Sequence, residues 1–223
     1  MTPELNKLDE KLIALEKALF EIKSNLDLYK ILRINAPEIR AIGRGKYFFA
    51  HMRKLCLDSY ILGICKVFEI EKDRELNSLP SILKTVKHYK PQNERPLLDF
   101  INEHRDLLGE RKEITENNLL ADVGKIYDMF CRKYFVDGRI KKVRDKVVAH
   151  SEYMEDVMRP KDIQSYDLLE KFLFFAIDIY SAIHRAYGVV PHPLKNDTSV
   201  VRSMCAVLEK CGIDNIKSKF DDE

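Results

Sequence analysis

One short segment of the chain sets two chemically complementary side chains close together: Arg144-Asp145-Lys146-Val147-Val148-Ala149-His150. A histidine with its ordinary pKa of about 6.5 trades protons at neutral pH. An arginine is permanently cationic, and its planar fork matches two phosphate oxygens. One of each is a minimal kit for breaking a ribose-phosphate backbone without a metal. The 2′-hydroxyl must lose a proton to attack the adjacent phosphorus in line, the leaving 5′-oxygen must gain one, and the charge gathering on phosphorus must be countered. That electrostatic share falls to the arginine. An Arg-x5-His string also arises by chance, and each residue has a plain structural alternative. His150 closes an apolar stripe of Ile140, Val143 and Val147, and a lone Arg144 suits a surface ion pair.

The helix that must carry the pair makes its geometry a question. Residues six apart on an α-helix point about 120° away from each other and differ by about 9 Å in height. Arg144 and His150 therefore do not share one face of a continuous helix. Either the helix ends near Ala149, which releases His150 from the helical phase, or two copies pack about a two-fold axis and a composite cleft gathers residues from both chains. The charge pattern singles out the same region. Lys125 to Lys146 holds eight basic residues against three acidic ones, a net +5 in a chain whose formal total is +2. Such an island is where a phosphate-bearing partner is sought, with Lys141, Lys142 and Lys146 as its phosphate contacts, although on charge count alone a solvated helix face is the plainer reading.

Apolar residues elsewhere recur at helical spacing. A first helix is expected from a Thr2 cap and Pro3, with Leu5, Leu8, Leu12, Leu15, Leu19 and Ile22 inward. Asn35-Ala36-Pro37 restarts the chain. A long helix is expected from Tyr47 to about Ile70, burying Phe49, Met52, Leu55, Tyr60, Ile64 and Phe68, with Tyr47, Phe48 and Phe49 as core or dimer interface. Ser78 is placed to cap a helix containing Pro80, Ile82, Leu83 and Val86. Helices follow near Pro96–Leu108, Leu119–Phe135, Arg139–His150 and Ile163–Tyr187, the last stopped by Gly188. Asp197 is expected to cap a final helix to Lys210, with Gly212 just past its end. No stretch has the alternation of a strand, so the fold class is all-α, a single helical bundle of six to eight helices. It occupies residues 1–223 as one domain, with a core at about 45–187 and helices 2–30 and 197–211 as extensions.

Several function classes are excluded by what the chain lacks. There is no phosphate-binding glycine loop, no dinucleotide fingerprint and no calcium loop. The five cysteines are odd in number and form no Cys-x-x-Cys pair, so neither a disulfide framework nor a zinc ligand set is indicated. His51, His88, His104, His184 and His192 are scattered without ligand spacing. No metal and no cofactor are expected. With no apolar leader at Met1–Glu10 and no run long enough to span a bilayer, the expected setting is cytoplasmic and reducing, without membrane contact.

The octet Arg144-Asp145-Lys146-Val147-Val148-Ala149-His150-Ser151 resembles the active-site motif of the HEPN superfamily. It is most similar to the branch related to abortive-infection type U proteins, in which an "R-D-K-x-x-A-H-S" string is typical. A second region agrees: Leu62-Gly63-Ile64-Cys65-Lys66-Val67-Phe68-Glu69, then Asn77-Ser78-Leu79 and Ile82-Leu83. The resemblance runs from about Ala50 to Tyr187. It implies an all-α bundle, usually a homodimer with the motifs facing each other, and metal-independent endoribonuclease activity in active members. Arg144 would then stabilise the scissile phosphate of an RNA, His150 would serve as general acid or base, and Asp145 would orient either residue or contact the ribose. Glu69, Ser151 and Tyr153 are supporting candidates. An antitoxin or regulator is implied as a further partner. Tyr153 stands at His-x-x-Tyr, so the His-x-Tyr tyrosine of the toxin branch has no clean counterpart. Inactive members that bind nucleotides or scaffold complexes keep a non-catalytic helical module as the alternative.

Overall fold

The first helix is organised by leucines at alternating separations of four and three. The computed structural model describes residues 3–43, 45–69, 78–108, 118–136, 166–188, 194, 198–213 and 215–217. In it, α1 (Pro3–Ile34) buries Leu8, Leu12, Leu15, Leu19, Ile22 and Leu26 along one stripe. A stripe of this kind holds a long helix against its neighbours, where burial rather than local propensity supplies most of the stability. Its main neighbour is α3 (Lys46–Phe68), reached through the short α2 (Ala36–Ala41). Gly63 lets the two helices approach closely: a Cβ there would stand 2.5 Å from Ile22 Cγ1.

On α3 the buried face is Cys56, Leu57, Tyr60, Ile61, Ile64, Cys65, Val67 and Phe68. Leu55, expected inward, is 44% exposed, and Met52 is half-buried. The face that meets α1 follows Cys56–Tyr60–Ile64, and Leu55 lies about 100° away from Cys56 around the helix. Tyr47 and Phe48 are also exposed, so they are not core; only Phe49 of that trio is buried.

Then come α4 (Leu79–Val86), α5 (Arg95–Glu103), a 3-10 turn (Arg105–Leu108), α6 (Leu119–Phe130) continued by a π-helical turn (Cys131–Val136), α7 (Tyr166–Ala186) and α8 (Ser199–Lys210). The architecture is all-α, with no strand among the described residues. Ser78 caps α4 as its type predicts, its hydroxyl accepting from Ser81 N–H. Leu79, Ile82, Leu83 and Val86 all go to the core. Asp197 lies outside the described residues, and Thr198 occupies the cap position of α8 without a side-chain hydrogen bond. Gly188 ends α7 at φ +90°, a left-handed backbone that L side chains rarely adopt, with Gln92 pressed against its open side. Gln92 and Asn93 N–H both donate to Ala186 O there, at 2.8 and 3.0 Å.

The main core gathers residues from α1 and α3 through α7. A second cluster, Ile31, Leu32, Ile39, Phe49, Val201, Leu208 and Ile213, joins the end of α1 to α8. Between them sits the fully buried Asn35. Its amide donates to Ile31 O (2.9 Å) and Lys217 O (3.0 Å), and its oxygen accepts from Lys217 N–H (2.9 Å). Charge ties α1 to α7 as well, through Lys30 and Glu170, while Lys23 pairs with Asp27 within α1. All five cysteines are free thiols. No helix among the described residues is long and apolar enough to cross a membrane.

Candidate functional site

The described part of the basic window is the end of α6 and its π-helical continuation. Lys125, at its start, is partly neutralised by Asp122, whose buried Oδ1 lies 2.7 Å from Lys125 Nζ. Arg132 and Lys133 are exposed. The added residue of a π turn rotates the side chains that follow it, a distortion that recurs at functional positions. Here the turn carries Tyr134, which packs on Phe130 with ring centroids 5.0 Å apart. Two ammonium groups stand over the Tyr134 ring, Lys133 at 5.2 Å and Lys171 of α7 at 4.5 Å. Burial alone would raise the Tyr134 hydroxyl, but hydrogen bonding and charge from Lys171 and Lys133 pull it below the usual tyrosine range. The result is a positively charged, aromatic-faced surface, the composition that receives phosphates and stacked bases.

Beneath it lies a rigid aromatic wall. Phe130 stacks face to face on Phe175 (3.7 Å), and Phe68 meets Tyr127, Phe130, Phe172 and Phe175 at 5.7–6.4 Å. Tyr127 Oη donates to Phe68 O at 2.8 Å. That bond fixes the end of α3 against α6, and with it Glu69. Glu69 terminates α3 in an extended conformation (φ −78°, ψ 144°), half-buried, its N–H donating to Cys65 O. Glu69 and Tyr134 are thus anchored to the same wall through Phe68 and Phe130.

Arg144, Asp145, His150, Lys141, Lys142, Lys146, Ser151 and Tyr153 lie outside the described residues, as does the helix expected at Arg139–His150. The chain leaves the described residues after Val136 and returns at Tyr166. The elements on either side of this interval touch at Tyr134 and Lys171.

Two groupings escape a reading by spacing. Tyr134 and Lys171 are distant in sequence, and Lys171 reads only as an interruption of an apolar run. His104, unremarkable in sequence, is brought together with Glu103 and Asp178, their ligand atoms all within 4.8 Å of one another. The usable signal is an acidic residue, Asp178, set directly after the apolar run Phe172–Ile177 of α7.

The comparisons with known proteins give one positive result. The HEPN_AbiU2 family, described as AbiU2, matches residues 5–202, which include the whole Arg144–His150 segment. No curated protein and no solved structure matches. A match over that length, on an all-helical chain, shows the family: the chain belongs to the AbiU2 branch of the HEPN superfamily.

Proposed function

We propose that the protein is a metal-independent endoribonuclease of HEPN type, acting in phage defence or as a toxin. The observation that carries this reading is the family match across residues 5–202, together with the Arg144–His150 octet inside it. In the proposed mechanism Arg144 binds the scissile phosphate and offsets the charge of the pentacovalent phosphorus. His150 takes the proton of the attacking 2′-hydroxyl or supplies one to the leaving 5′-oxygen. Asp145 orients one of the two, with Glu69, Ser151 and Tyr153 in support, and Lys141, Lys142 and Lys146 hold the flanking phosphates. The helical phase of Arg144 and His150 favours a composite site from two copies of the chain, so the working unit is a homodimer. Its setting is the cytoplasm, where an antitoxin or other regulator restrains it. The basic-aromatic surface of Lys133, Tyr134 and Lys171 supports RNA as the partner.

The test is RNA cleavage by purified protein in excess chelator, alongside Arg144→Ala and His150→Ala. Each variant should lose at least about a hundredfold in rate, in line with removal of a general acid-base or a charge-stabilising group. Both should keep the wild-type melting temperature. Equal cleavage by His150→Ala would refute the catalytic assignment. Loss of stability without any wild-type cleavage would favour the non-catalytic module.

A further inference from the structure

The grouping of Glu103, His104 and Asp178 has no part in the chemistry proposed for Arg144 and His150. His104 is the C-cap of α5, its N–H donating to Phe100 O at 3.1 Å. Its imidazole is held between two phenyl rings, Phe100 at 4.6 Å and Phe175 at 5.1 Å, and Phe175 is itself locked by stacking on Phe130. The ring turns Nε2 toward Asp178 of α7. Nε2 is buried and meets no hydrogen-bond partner among the described residues. Its nearest acidic atom is Asp178 Oδ2 at 3.6 Å.

That separation is informative. It is too long for an N–H···O hydrogen bond, which falls at about 2.7–3.2 Å. It is close to the spacing of two ligands on one tetrahedral cation, since bonds of about 2.0–2.1 Å at the tetrahedral angle set donor atoms about 3.4 Å apart. Glu103 adds a second carboxylate within the same 4.8 Å and is exposed, which leaves it free to swing inward. Two carboxylates balance a divalent charge, and a preoriented imidazole selects a borderline metal over calcium or magnesium.

We propose that Glu103, His104 and Asp178 form a binding site for a divalent first-row transition cation of the zinc type, clamping the end of α5 to the middle of α7. Water completes the coordination. The site is a clamp that stabilises the fold when loaded, by preferential binding to the folded chain.

The experiment is titration of tag-free, chelator-treated full-length protein with Zn²⁺ by calorimetry, with Co²⁺ absorption as the coordination readout. One equivalent should bind and raise the melting temperature. Co²⁺ should give visible d–d bands without thiolate-to-metal charge transfer. Glu103→Gln, whose side chain is exposed, should fold normally and weaken binding by at least about tenfold, and His104→Gln and Asp178→Asn should weaken it further. The proposal is overturned if wild-type protein binds no stoichiometric Zn²⁺, if the three variants bind as wild type does, or if charge-transfer bands assign the metal to cysteines.

Discussion

Lys171 Nζ lies 4.5 Å above the ring of Tyr134, a contact from α7 to the π-helical turn that follows α6. These two elements flank residues 137–165, the interval containing Arg144 and His150. The contact makes the flanks of the motif one surface, rich in positive charge and floored by the Phe130–Phe175 stack. It also perturbs the tyrosine itself.

Tyr134 should titrate earlier than Tyr60, Tyr127, Tyr180 and Tyr187. Burial works against ionisation, but Lys171 and Lys133 outweigh it and lower the hydroxyl below its ordinary value, whereas burial pushes Tyr60, Tyr127, Tyr180 and Tyr187 upward. A depressed folded-state pKa contributes stability that is present above the unfolded value and is lost as pH falls through the folded one. In a tyrosinate absorbance titration, Tyr134→Phe should remove a step below the usual tyrosine range and Lys171→Met should move that step to higher pH. Titration curves unchanged in both variants would contradict the contact.

The Tyr127–Phe68 hydrogen bond should be worth about 1–3 kcal/mol, the cost of leaving a buried carbonyl unpaired. Tyr127→Phe keeps the ring and removes the hydroxyl that donates to Phe68 O and also meets the Cys131 thiol. Chemical denaturation should show that loss with an unchanged m-value. A variant as stable as wild type would mean that the end of α3, and Glu69 with it, is not held this way.

At Gly63, alanine should destabilise although it is the better helix former. Overpacking against Ile22 costs about 1–3 kcal/mol, against a propensity gain of about 1 kcal/mol. The penalty should shrink in an Ile22→Ala background, since the clashing Cγ1 is then gone. Additive effects in a double-mutant cycle would show that the helices do not meet at this pair.

Asp27 gives a pH signature. Burial raises its carboxyl above 3.8, more than the hydrogen bond and charge of Lys23 lower it. The folded state therefore takes up this proton more readily than the unfolded chain. The stabilisation is complete below the unfolded value and disappears as pH rises through the folded one. Compared with Asp27→Asn, wild-type protein should gain stability as pH falls from neutral toward about 4. Parallel melting curves for the two proteins would overturn this.

What the sequence made legible follows from the range of each interaction. The buried stripe of α1 is written in leucine spacing, and Ser78 and Gly188 mark ends through local backbone chemistry. Leu55 departs from its apolar pattern because amphipathic phase on a helix with several neighbours depends on where those neighbours sit, and α1 selects the Cys56–Tyr60–Ile64 line. The Tyr127–Phe68 bond spans 59 residues and the Glu103–His104–Asp178 grouping requires α5 to lie on α7; neither leaves a periodic trace. The family is legible in the Arg144–Ser151 octet by resemblance, and the match over residues 5–202 bears out that family; the roles given to Arg144 and His150 remain a proposal.

The measurement that bears most directly on the proposed function is the chemistry of the RNA ends left by purified protein in excess chelator. Attack by the 2′-hydroxyl, with Arg144 on the phosphate and His150 moving protons, predicts 2′,3′-cyclic phosphate on one fragment and 5′-hydroxyl on the other, and no such fragments from His150→Ala. Fragments ending in 3′-hydroxyl and 5′-phosphate, or the same cyclic ends from His150→Ala, would contradict it.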